Sequence, residues 1–92
     1  MKYRVAIPPR VENALRHLHP AMKGKIKDAL RMIEHDPSAG RPLRGKLAGL
    51  MSFRATHYRI IYRVARESRR IEAVDIGPKK SIYGKGFGFD LG

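Results

Sequence analysis

The sequence predicts an α+β domain: an N-terminal strand, an antiparallel helix pair, then a three-stranded antiparallel meander completing a four-stranded sheet. Three patterns carry this expectation. Residues 2–7 alternate apolar and polar, residues 10–36 carry helical stripes, and residues 51–76 alternate again in three runs separated by short turns. With 92 residues the chain has room for one small core.

The first strand turns Tyr3, Val5 and Ile7 to one side. Pro8 and Pro9 end it, and proline is tolerated in the first turn of a helix. Val11, Leu15 and Leu18 recur at i, i+4 and i+7, so residues 10–18 read as a short helix. Pro20 breaks that helix and opens a second one. Met22, Ile26, Ala29, Leu30 and Ile33 form its apolar stripe, while Lys23, Lys25, Lys27 and Arg31 face elsewhere. Asp36-Pro37 closes the second helix, because a residue before proline avoids the α region. Such short helices need a sheet beneath them. Residues 38–49 read as a glycine-punctuated loop, and strands are expected over 51–55, 58–65 and 70–76, with Gly77-Pro78 ending the last.

A two-residue turn at Thr56-His57 pairs Ala55 with Tyr58, Arg54 with Arg59, Phe53 with Ile60 and Met51 with Tyr62. Paired residues share a face. Phe53, Ile60, Met51 and Tyr62 therefore face the helices, and Arg54 and Arg59 stand side by side on the other face. A turn at Glu67-Ser68 sets Val64 opposite Ile71, Arg63 opposite Glu72, Tyr62 opposite Ala73 and Ile76 opposite Arg59. That register fits badly at Asp75, which it turns toward the core unless the pairing slips there.

The charge is strongly one-sided. The chain holds 20 Lys/Arg and 8 Asp/Glu, a formal charge of +12, which calls for a nucleic acid or an acidic protein. Residues 37–66 contain no acid, yet hold Arg41, Arg44, Lys46, Arg54, Arg59, Arg63 and Arg66. A membrane surface is not expected, since neither helix is uniformly basic and no run is long enough to span a bilayer. With no cysteine and no signal-peptide core at the N-terminus, a cytoplasmic protein is expected. No metal-binding pattern, dinucleotide fingerprint or nucleophilic triad is present, so neither metal nor cofactor is expected.

Two readings of the arginine pair stay open at this level. The side chains can splay into water over the apolar surface, or converge on a phosphate that the guanidinium fork binds bidentately. Lys79, Lys80 and Tyr83 follow the last strand, where Tyr83 either packs the tail onto the core or stacks on a base. His57, in the hairpin turn, is either simply exposed or an acid–base group. The run Arg41-Pro-Leu-Arg-Gly-Lys46 is a loosely phosphate-loop-like basic segment.

Taken in order, these features resemble the RelE/ParE superfamily of toxin–antitoxin toxins over residues 2–83. The features are a strand, a helix pair, Leu43-Arg-Gly-Lys-Leu-Ala-Gly49, Phe53-Arg54, His57-Tyr-Arg-Ile-Ile-Tyr62, Ile76-Gly77 and Tyr83. The resemblance implies a toxin domain at 1–83 with a Gly/Phe-rich tail at 84–92. It implies a type II toxin that cleaves messenger RNA on the ribosome without metal, the 2′-hydroxyl attacking the neighbouring phosphate. Arg59, Lys79 and Tyr83 then take catalytic positions, while Arg54 and Lys80 hold phosphate; His57, Lys46 and Arg63, from the acid-free stretch and its loop, are further expected phosphate contacts. Partners implied are messenger RNA, the ribosome with its rRNA, and a small acidic antitoxin. The chain departs from the family where ribosome-dependent members carry two lysines before the hairpin, having Leu50 and Ser52 instead. That departure keeps two alternatives: a ParE-like inhibitor of DNA gyrase that acts by binding, or a non-toxic basic module of the same fold.

Overall fold

A computed structural model of the chain describes residues 3–78. β1 (Arg4–Ala6) leads into α1 (Pro9–Arg16) and α2 (Pro20–His35), and four further strands follow: β2 (Arg41–Pro42), β3 (Leu50–Ala55), β4 (Tyr58–Ala65) and β5 (Arg70–Pro78). The strand order is β1-β5-β4-β3-β2, with β1 parallel to β5 and the other neighbours antiparallel. Both helices pack on one face, α1 over β5 and α2 over β3.

The α+β class and the helix–sheet arrangement are as expected, but the sheet has five strands and is mixed. Alternation fixes which face a strand buries; it specifies neither its direction nor its neighbour. Val5 faces the helices as predicted, yet β1 lies beside the last strand and runs with it, Val5 beside Ile71. The added strand, β2, is too short for alternation to reveal. It pairs Arg41 with Ser52 and Pro42 with Met51 at the sheet edge, where a residue lacking an N–H is tolerated.

Local chemistry explains the helices. Pro9 and Pro20 open them, and the His19 ring accepts the Ala21 N–H at 3.2 Å to cap α2. Asp36 stops α2 and caps the 3-10 turn Pro37–Ala39, its Oδ1 accepting from Ser38 N at 3.1 Å. The buried face of α2 is Ile26, Ala29, Leu30 and Ile33, the predicted stripe. These residues meet Ile60, Tyr62, Ile71, Ala73 and Ile76 from the sheet. Truncating fully buried Ile26 or Ile33 to Ala costs about 2–5 kcal/mol.

The β3–β4 register is the predicted one, and the β4–β5 register holds from Ala65↔Arg70 to Tyr62↔Ala73. There it slips by one: Ile61 pairs with Asp75 and Ile60 with Ile76, leaving Val74 as the extra residue of a bulge. The slip resolves the Asp75 misfit. It returns Ile76 to the core, moves Asp75 to the open face and puts Gly77, in place of the expected Ile76, across from Arg59. Two backbone groups beside the bulge are met by side chains, Val74 O by Arg10 at 2.6 Å and Ile76 N by Asp75 Oδ1 at 2.8 Å. β5 also continues through Gly77 and Pro78, the residues expected to end it.

A cationic site on the open face of the sheet

The face away from the helices has an apolar end and a cationic end. At the apolar end Leu43, Leu50 and Ile61 are buried, with Leu47 and Val74 packed on them. This contact clamps the 43–49 loop onto the sheet. At the other end Arg54 and Arg59 are direct cross-strand partners, as predicted, with Cβ atoms about 5 Å apart. Arg54 is anchored: its Nε donates to the Thr56 carbonyl at 3.1 Å. Arg59 is half-buried and makes no hydrogen bond or ion pair with the described residues. Gly77 lies across from it on β5 and brings no side chain of its own to that side.

The next cross-strand row is Arg41, Ser52, Ile61 and Asp75. Arg41 therefore shares the open face and flanks the Arg54–Arg59 pair. Arg41 was not among the expected binding residues, because the edge strand that orients it is only two residues long. Asp75 is the nearby acid, and its carboxylate is engaged with Ile76 N–H. The result is three guanidinium-bearing positions on two neighbouring rows of the open face, bordering the buried Ser52 and Ile61. Arginines so placed grip a phosphate or carboxylate through charge-assisted bonds.

The remaining expected positions divide clearly. Arg63 is on the same face but two rows away, about 13 Å along β4 from Arg59, and faces Glu72 at 3.6 Å in an exposed ion pair. Lys46 is exposed in the 3-10 turn Gly45–Leu47, beyond the apolar end, and is not brought to Arg59. His57 sits at the hairpin tip with its ring edge-on to Tyr58, centroids 4.9 Å apart, beside the pair but turned to a residue of the core side. Lys79, Lys80, Tyr83 and the 84–92 tail lie outside the described residues. Among the described residues no group of three His, Cys, Asp or Glu is placed to hold a metal ion, and no helix is long and apolar enough to cross a membrane.

Tyr62 holds the Arg41 edge in place. Its hydroxyl donates to Pro37 O at 2.8 Å and accepts from Gly40 N at 3.0 Å, tying the segment before β2 to the central strand. Burial pushes the Tyr62 phenol above its ordinary pKa of 10.0; the Gly40 N–H opposes this and the Asp36 charge adds to it. Gly40 is required by space: a Cβ there would meet the Tyr62 hydroxyl and lie 2.9 Å from Ser52 O. A cleft of about 330 Å³, lined by Ile7, Pro8, Arg10, Ala73 and Val74 among others, lies near the β1 edge and away from Arg54 and Arg59.

Residues 5–83 match the family model of the ParE toxins of type II toxin–antitoxin systems, parDE. The chain belongs to the RelE/ParE family of type II toxins. Among curated proteins none matches it in sequence. Solved structures of similar fold include the RelBE2 toxin–antitoxin complex of Mycobacterium tuberculosis, at 26% identity and TM-score 0.79, covering 86% of this chain and 100% of that one. The archaeal RelE–RelB complex of Pyrococcus horikoshii is 27% identical, TM-score 0.71, covering 86% and 97%. A free-state mutant of the E. coli toxin RelE shares the fold at 22% identity and TM-score 0.74, covering 91% and 93%. Family membership makes the chain a type II toxin, and a shared fold carries no particular chemistry with it.

Proposed function

We propose that this toxin is an endoribonuclease that cuts messenger RNA on the ribosome, with Arg59 at the reacting phosphate. The observation that carries the proposal is Arg59 itself, half-buried, without a partner among the described residues and next to a second arginine. In the reaction the 2′-hydroxyl attacks the adjacent phosphorus, charge gathers on the non-bridging oxygens, and the 5′-oxygen leaves with a proton. Arg59 stabilises that charge; Arg54 and Arg41 hold the flanking phosphates. Tyr83 and Lys79 supply the proton transfers, and Lys80 adds a phosphate contact. His57 is the second candidate base. Lys46 and Arg63 contact the strand further along.

The toxin is cytoplasmic, and in the resting cell a small acidic antitoxin covers this face. The solved relatives from M. tuberculosis and P. horikoshii are toxin–antitoxin complexes, which supports such a partner. A chain at +12 also needs one to stay off cellular RNA. A second reading, inhibition of DNA gyrase by binding, is favoured by the ParE identity of the matched family model and by Leu50 and Ser52 standing where lysines would serve a nuclease. Inducible expression with two readouts separates them. Translation arrest with cleaved messages supports the nuclease; a DNA-damage response with intact messages refutes it.

A further inference from the structure

The open face carries a second arginine pair on the β1 edge, past the apolar cluster. Arg4 of β1 and Arg70 of β5 are direct partners in the parallel ladder. Val5 and Ile71 pack with the helices, so Arg4 and Arg70 point to the opposite side, the same face as Arg54 and Arg59. Both are exposed, and neither side chain makes an ion pair or hydrogen bond with a described residue. Arg66, in the adjoining turn, is exposed as well. Like charges directly opposite each other on a sheet are destabilising, so this pair weakens the free protein unless an anion joins it.

The spacing suggests which anion. Gly77, beside Arg59, and Arg70 are seven residues apart on β5, and with the bulge this is roughly 20 Å along the strand. Between the two pairs stands Arg63, whose Glu72 partner lies at 3.6 Å with both side chains more than half exposed. A solvated ion pair of that kind opens at little cost to a competing phosphate. The acids of this face are Glu72 and Asp75, the former occupied by Arg63 and the latter by Ile76 N–H; Glu67 lies in the turn beside Arg66.

We infer that Arg4 and Arg70 form a distal phosphate subsite, and that with Arg63 they bind the backbone of a single-stranded RNA several nucleotides from the phosphate at Arg59. The inference rests on the nuclease reading for its choice of RNA. It adds a function for residues at the far end of the sheet from the candidate chemistry, and it makes substrate length a determinant of affinity. Arg59 alone would grip a very short oligonucleotide as well as a long one.

The test uses the full chain and 2′-O-methyl RNA of three or ten nucleotides, which binds but cannot be cut because the attacking hydroxyl is blocked. Wild type binds the decamer more tightly than the trimer. Arg4→Gln combined with Arg70→Gln weakens decamer binding roughly tenfold and makes its salt dependence shallower by about 1.4, the loss of two phosphate contacts to a single strand. Trimer affinity stays unchanged, and the thermal midpoint stays level or rises, whereas a structural role would lower it. Lys25→Gln with Lys27→Gln, which removes the same charge from exposed positions on α2, leaves decamer binding within about twofold. An unchanged decamer affinity in the arginine variant, an equal loss on trimer and decamer, or an equal loss in the lysine variant overturns the subsite. Cleavage of unmodified message is scored separately, on programmed ribosomes. Length-dependent binding without cleavage sinks the nuclease reading and leaves the subsite standing.

Discussion

Arg59 lies directly across from Gly77, and the bulge at Val74 is what brings them together. In an unslipped ladder Ile76 would occupy that place and cover the guanidinium's flank. The bulge therefore serves the core and the open face at once, returning Ile76 to one and setting a glycine beside Arg59 on the other. Gly77→Val adds a branched side chain to that row. Activity falls roughly tenfold or more through displacement of the bound phosphate, with the circular dichroism spectrum unchanged. A folded Gly77→Val protein with full activity would show that a glycine beside Arg59 has no part in binding.

Arg41 completes the cationic cluster from the sheet edge. Its replacement by Ala raises the KM for RNA about five- to tenfold, as expected for one solvated charge-assisted contact, and changes kcat little. A drop in kcat with KM unchanged would place Arg41 at the reacting phosphorus and contradict the assignment of that role to Arg59.

Tyr62 ties the edge to the core, and its loss is read in stability. Tyr62→Phe leaves Pro37 O and Gly40 N without their partner, a cost of about 1–3 kcal/mol. The pH dependence has a definite sign. Burial raises the folded-state pKa above 10.0, so the contribution of the phenol is fully present below pH 10 and is lost as pH rises through the folded value. Denaturant melts at stepped pH show wild type ahead of Tyr62→Phe at neutrality, with the gap closing above pH 10. A gap that widens there would mean the phenol is not buried in its protonated form.

The arginine pair and most of the ladder were legible in the sequence because apolar and polar residues alternate over 51–55 and 58–60 and the turn between the strands is short. Asp75 is the informative misfit: a carboxylate falling on an apolar face signalled the slip, though alternation could not say that Val74 would be the extra residue. The partner and direction of β1 were not legible. Val5 is buried equally well beside either edge, and only the path through two helices decides. Arg41 was hidden because two residues show no period, and its placement depends on Tyr62 reaching Pro37 and Gly40 from 22 or more positions away.

The hairpin tip stores strain. Thr56 has φ of 57°, a left-handed conformation that β-branched residues avoid, while its hydroxyl donates to Ala55 O at 2.6 Å with Met22 Sδ as a weaker alternative acceptor at 3.7 Å. Thr56→Asn suits that backbone better and raises stability by about 1 kcal/mol, seen as a higher denaturation midpoint. A lower midpoint would show that the hydroxyl contacts outweigh the strain.

Arg59→Ala in a ribosome-programmed cleavage assay tests the central claim most directly. An open-face arginine without a described partner adds little to packing, so the variant keeps the wild-type melting profile. Its rate of message cleavage falls about 100- to 1000-fold, the usual loss for one charge-stabilising donor at a reacting centre. A folded Arg59→Ala protein that cleaves at the wild-type rate would contradict the assignment of Arg59 to the reacting phosphate.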